Sequence, residues 1–100
     1  MEHTVFLTSE AHADVDAAFW WYEGRRSGLG FEFNACLDEA LQKAARAPLV
    51  YVEVDDDIRR VLVRRFPYAV FFVVEDDDAT LTVIGVLHTS RDPDSWRERR

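Results

Sequence analysis

Two consecutive runs, "YAVFFVVE" (68 to 75) and "TLTVIGVLH" (80 to 88), are apolar on both of their alternating faces. In the first, Val70, Phe72 and Val74 oppose Ala69, Phe71 and Val73. In the second, Leu81, Val83 and Leu87 oppose Ile84 and Val86. Successive side chains of a strand point to opposite sides of its sheet, so such strands persist only where both faces are covered. The rest of the chain offers two helical patterns, enough to cover one face of a small sheet. The second face therefore needs another roof: the C-terminal tail, a second copy or a partner protein. An apolar face left open beyond roughly a few hundred Å2 marks a binding site.

The elements around these runs follow from periodicity. "TVFLT" (4 to 8) is β-branched and aromatic and predicts a first strand. Ser9 stands where a helix N-cap belongs, and residues 10 to 26 carry an apolar stripe of Ala11, Val15, Ala18, Phe19 and Tyr22. Ala13, Ala17 and Trp20 form a second stripe, so this helix packs against two things. "GLGFEF" (28 to 33) lacks the third glycine and the preceding strand of a dinucleotide loop, and reads as a turn between helices. A second helix is expected from about Phe31 to Arg46, with Phe33, Leu37, Ala40, Leu41 and Ala44 inward and Pro48 ending it. After an acidic loop, "IRRVLVRRF" (58 to 66) precedes the two apolar runs as a meander of hairpins. The expected fold is α+β, ordered β-α-α-β-β-β, with a helical hairpin on one face of a four-stranded, mainly antiparallel sheet. All 100 residues form one domain.

The net charge of −7 argues against generic nucleic-acid binding, which relies on cationic surface. Its distribution is uneven: acid gathers at 55 to 57 and 75 to 78. Arginine gathers at Arg59, Arg60, Arg64 and Arg65, and again at Arg91, Arg97, Arg99 and Arg100. Lys43 is the one lysine, and arginine is the cation suited to bidentate contact with carboxylate or phosphate. Pairing with nearby aspartates is the simplest use of each. Cys36 is alone, the N-terminus lacks a basic start before a long apolar stretch, and no apolar run spans a bilayer. A cytoplasmic protein is expected. The three histidines are scattered without zinc spacing, and the acidic runs lack an EF-hand's ligand pattern, so neither metal nor cofactor is expected.

The chain closes on "SRDPDSWRERR" (90 to 100). Asp92 or Asp94 is expected to cap a turn, Trp96 to anchor the tail across the sheet edge, and the arginines to face outward.

In this order and spacing, "WYE" (21 to 23), "GLGFEF" (28 to 33), Pro48, "IRR" (58 to 60), "RFPYAVFF" (65 to 72) and "VLHTSRDPDSW" (86 to 96) resemble the RelE/ParE toxin family of type II toxin–antitoxin systems. The resemblance implies a helical hairpin on a mainly antiparallel sheet and a cognate antitoxin that wraps the toxin. Antitoxin binding is then expected at Trp20 and Phe72, with acidic residues facing Arg59, Arg60 and Arg64 or Arg65.

The family's branches act differently. ParE-like members bind DNA gyrase and stall it, while RelE-like members enter the ribosome and cut mRNA. Metal-free RNA cleavage needs proton transfers at the 2′- and 5′-oxygens and stabilised phosphate charge. His88, Arg65 and Arg91 are the candidates for that chemistry, with Glu53 a further carboxylate. The resemblance also implies strand and loop lysines in RelE-like enzymes, which are missing here, and no tyrosine or histidine follows His88. "VLHTSRDP" sits closer to the ParE-like branch. The expected function is therefore a gyrase inhibitor of the plasmid-stabilising kind, with Arg91, Trp96, Arg97 and Arg65 meeting the target and no catalytic residue. A ribosome-dependent endonuclease is the alternative, and a non-toxic binding module of the same fold a third reading. In the plainest structural role, His88 hydrogen-bonds its own turn.

Overall fold

A computed structural model describes residues 3–77, 79–91 and 93–99. The chain runs β1 (Thr4–Leu7), α1 (Ser9–Arg25), α2 (Leu29–Arg46), a 3-10 turn (Pro48–Val50), β2 (Glu53–Asp55), β3 (Ile58–Leu62), β4 (Tyr68–Val74), β5 (Thr80–His88) and a C-terminal 3-10 segment (Ser95–Arg99). The described strands form one mixed sheet in the order β1-β5-β4-β3-β2, with β1 parallel to β5 and the other pairs antiparallel.

Five strands replace the expected four. The addition, β2, lies in the acidic loop, where Asp55 pairs with Ile58 across a two-residue turn and Asp56 takes a positive φ of 50°. Aspartate tolerates that region better than most residues, so the aspartate run builds a hairpin turn. β3 in turn stops at Leu62, short of Phe66. Arg65 turns into a left-handed conformation (φ 74°) and Pro67 has no N–H to continue a ladder.

The N-cap of α1 is Thr8, one residue before the expected Ser9: its hydroxyl accepts from the Ala11 N–H at 3.1 Å. Gly28, at φ 93°, makes the sharp entry to α2. Glu23 of α1 then reaches across the hairpin, its two carboxylate oxygens accepting the N–H groups of Gly28 and Gly30, each at 2.9 Å. A negative group thus satisfies the exposed donors at the positive end of α2. Gly30 is required for a different reason: a Cβ there would stand 2.7 Å from the Phe19 carbonyl oxygen.

The sheet separates two cores. On one face Val61, Tyr68, Val70, Phe72, Leu81, Val83 and Val86 pack with Ala11, Ala18, Tyr22, Phe33, Leu37, Ala40 and Ala44 of both helices. On the other face Ile58, Ala69, Phe71, Val73, Ile84 and Leu87 pack with Trp96. The tail is therefore the roof: the Trp96 ring stacks on Phe71 with centroids 5.3 Å apart and planes 14° apart.

A β-bulge between Phe71 and Phe72 changes the facing of β5. Phe72 pairs with Val83 and Phe71 with Gly85, leaving Ile84 as the extra residue. An inserted residue reverses the facing of everything beyond it. Val86 consequently joins Leu81 and Val83 on the helix side, and Leu87 joins Ile84 opposite. The simple alternation had placed both the other way.

Candidate functional site

The bulge also decides where His88 goes. It pairs with Tyr68, which faces the helices, and the two rings lie 5.3 Å apart. Together with Asp14, Ala17, Ala18 and Trp21 of α1, and with Val86, Leu87 and Arg91, they line a cleft of about 210 Å3. The floor is largely alanine and valine; the rim is aromatic and cationic. Arg91 Nη2 donates to the Tyr68 hydroxyl at 2.9 Å, and its guanidinium lies 5.4 Å from the Trp21 ring centre. Arg25 lies over the same indole at 4.2 Å. Beneath the rim, burial, reinforced by Tyr68, holds the Tyr22 phenol above its ordinary pKa, against the opposing pull of Arg91.

His88 caps its own turn. Its Nδ1 accepts the backbone N–H groups of Ser90 and Arg91, both at 3.1 Å, which leaves the proton of a neutral ring on Nε2. The turn is tied to the β3–β4 connection by the Thr89 N–H, which donates to the Pro67 carbonyl at 2.9 Å.

The opposite side of the cleft is built by residues that the sequence did not single out. β1 covers only the first half of β5, leaving the edge open beyond Val83. Asp14 closes that edge by accepting the Val86 N–H at 2.9 Å. Arg99 of the tail makes a two-pronged pair with the same carboxylate and donates to the Ile84 carbonyl at 3.3 Å. Gly85 leaves room for this crossing, since a Cβ there would lie 3.2 Å from Arg99 Nη1. No motif marks this arrangement; the one signal is an acid, Asp14, lying beside a helix's core stripe.

The other expected site residues divide. Trp20 is 67 % exposed on α1 and edge-on to Phe19, beside the exposed Phe31. Phe72 is fully buried in the helix-side core, so the expectation that it meets an antitoxin is corrected: no partner reaches it in the folded chain. Trp96 is likewise buried, which corrects its expected contact with a target. Arg97 lies over the Trp96 ring at 4.4 Å and pairs with Asp55 at 3.3 Å; Arg99 points inward. Asp92 and Arg100 lie outside the described residues.

Of the central arginines, Arg59 binds Glu53 and the Tyr51 carbonyl, Arg64 binds Glu39, and Arg65 binds Glu32. These bonds hold Glu32 and Glu39 below the usual carboxylate range, Arg65 acting mainly on the first and Arg64 on the second. Arg60 stands exposed beside a shallow groove with Val50, Val52 and Leu62. Glu53, the further candidate carboxylate, pairs with Arg59 at 2.9 Å.

The fold matches that of known toxins. The model for the ParE toxin of the type II toxin–antitoxin system parDE matches residues 5–93. The chain belongs to the ParE toxin family. Among curated proteins no sequence matches. Among solved structures, the chromosomal ParDE toxin–antitoxin system from P. aeruginosa superposes with a TM-score of 0.75 at 14 % identity, covering 87 % of this chain and 96 % of that one. A mutant E. coli toxin RelE in the free state gives 0.60 at 14 % identity, covering 99 % and 94 %. The toxin–antitoxin complex RelBE2 from Mycobacterium tuberculosis gives 0.62 at 20 % identity, covering 88 % and 99 %. At these identities the structural likeness is one of fold. No described helix of this ParE family member is long and apolar enough to cross a membrane.

Proposed function

We propose that this protein is a cytoplasmic ParE-like toxin of the plasmid-stabilising kind, which binds and inhibits DNA gyrase and is neutralised by a cognate antitoxin. The observation that carries the reading is the state of His88. Its Nδ1 is engaged by two backbone N–H groups of its own turn, so the ring serves architecture. Of the residues set aside for nuclease chemistry, Arg65 is paired with Glu32. Arg91, exposed at the cleft rim, is the residue best placed to meet a target. The match to the ParE family model supports the same branch.

A second reading, ribosome-dependent mRNA cleavage, draws on the phenol of Tyr68, the imidazole of His88 and the guanidinium of Arg91 lining one cleft. The two readings separate in purified systems. On the gyrase reading, wild-type protein is expected to inhibit gyrase supercoiling and leave ribosome-bound mRNA whole, with Arg91→Ala lowering inhibition about tenfold or more and His88→Ala lowering it less. Cut mRNA that disappears in a folded His88→Ala variant overturns the gyrase reading.

A further inference from the structure

The chain holds eleven arginines in a protein of net charge −7, and most are neutralised internally. Among the described residues, Arg26 and Arg65 share Glu32, Arg59 has Glu53, Arg64 has Glu39, Arg97 has Asp55 and Asp94, and Arg99 has Asp14. Arg25 and Arg91 have no carboxylate partner there, yet both converge on Trp21, at 4.2 and 5.4 Å from its ring centre. Arg25 comes from the end of α1 and Arg91 from the turn after β5, so the convergence is tertiary. Two guanidiniums held near one indole keep N–H groups available to an acceptor, and that geometry suits a carboxylate. Beside them lies the cleft floored by Ala18 and Val86, with room for a side chain and not for a folded surface. From its mouth the apolar surface continues along α1: Ala13 and Ala17 are exposed, and Trp20, next to them at helical spacing, is exposed by two-thirds.

We propose that the Trp21 cleft, lined by Arg91 and with Arg25 over the same indole, is a docking site for an acidic segment of the cognate antitoxin. An apolar side chain of that segment enters the cleft, a neighbouring Asp or Glu bridges the two arginines, and the chain continues along Ala17 and Trp20. Charge complementarity decides for a peptide carboxylate: a nucleic-acid backbone brings many phosphates towards a protein whose overall field repels them. The site rests on the toxin–antitoxin reading for the identity of its occupant, and it moves the acid-binding surface from Arg59, Arg60, Arg64 and Arg65 to α1. It also covers Arg91, so antitoxin and target compete for one residue.

The test measures affinity between the full-length protein and the product of the reading frame adjoining its gene, by calorimetry at two salt concentrations. Arg25→Glu and Arg91→Glu each weaken binding about tenfold and the pair about a hundredfold, and the salt dependence of the double variant is flatter. Arg25→Gln with Arg91→Gln gives a smaller loss in the same direction. Arg26→Glu, a charge-matched neighbour, stays within about twofold, and far-UV circular dichroism confirms that each variant is folded. A double variant that binds no worse than Arg26→Glu overturns the site while leaving the toxin–antitoxin reading intact. Failure of wild-type protein to bind any adjoining gene product overturns both. Loss of DNA, RNA or gyrase binding in the double variant, with antitoxin affinity unchanged, assigns the cleft to that ligand and overturns the proposal.

Discussion

Asp14 is where the tail, the open edge of β5 and α1 meet, and removing its carboxylate tests whether that junction holds the fold together. Asp14 and Arg99 keep only 14 % and 17 % of their side-chain surface in contact with solvent. Asp14→Ala leaves Arg99 without its two-pronged partner and the Val86 N–H without an acceptor. Breaking a fully buried pair costs about 3–5 kcal/mol, and the residual exposure puts this one near the lower end, about 3 kcal/mol. For a chain of this size that is a fall in melting temperature of roughly 12–20 °C. Asp14→Asn keeps an acceptor for Val86 and loses the charge, so about 2 kcal/mol is expected. Arg99→Ala costs a similar amount, since Asp14 still holds Val86. Urea denaturation of the single variants and of the Asp14→Ala/Arg99→Ala double variant closes a cycle, with an expected coupling of about 2 kcal/mol. Additivity to within about 0.5 kcal/mol would show that the pair contributes nothing of its own, and the account of the tail as a strap would fail.

Three further outcomes are expected. Glu23→Ala removes the carboxylate that accepts from Gly28 and Gly30, and should cost about 2 kcal/mol in urea denaturation, with Glu23→Gln costing about half of that. Phe72→Asp buries a charge in the helix-side core and should abolish the cooperative unfolding transition, whereas Trp20→Asp, at an exposed position, should leave helical circular dichroism unchanged. The Asp77 carboxyl is held below the usual carboxylate range by the N–H groups of Ala79 and Thr80 and by the Thr80 hydroxyl. Its contribution is therefore complete above the ordinary aspartate pKa and is lost as pH falls through the lowered native value. Asp77→Asn should make the acid limb of the stability–pH curve shallower and leave its neutral limb parallel to wild type.

Much of the architecture was legible because hydrophobic periodicity is a local property. The stripe of Phe33, Leu37, Ala40 and Ala44 named the inner face of α2, and the double-sided runs of β4 and β5 required two covers before either was known. The bulge at Ile84 was not legible. It depends on which residues of β4 and β5 hydrogen-bond, and nothing in "TLTVIGVLH" distinguishes one register from the next. That single residue reversed the assignments of Val86 and Leu87 and brought His88 to the helix side. β2 was missed for another reason: its three residues are polar at both ends, and its stability comes from pairing with β3 and from the Arg59–Glu53 contact, both tertiary.

The tail shows how composition misleads about a site. A tryptophan among arginines looks like a surface made to meet a partner, but aromatic and guanidinium groups are equally effective at fastening a chain end to its own sheet. Trp96 covers Phe71, Arg97 covers Trp96, and Arg99 crosses the β5 edge to Asp14. Truncation after Ser95 would consequently uncover the second core, and any loss of toxicity would report unfolding before it reported a lost contact. Exposed residues able to meet a partner lie just upstream and on α1, among them Arg91, Arg25 and the indoles of Trp20 and Trp21. Arg91→Ala, which removes no core atom, is the substitution that separates binding from folding, and a normal melting temperature beside lost activity is the result that assigns it to the binding surface.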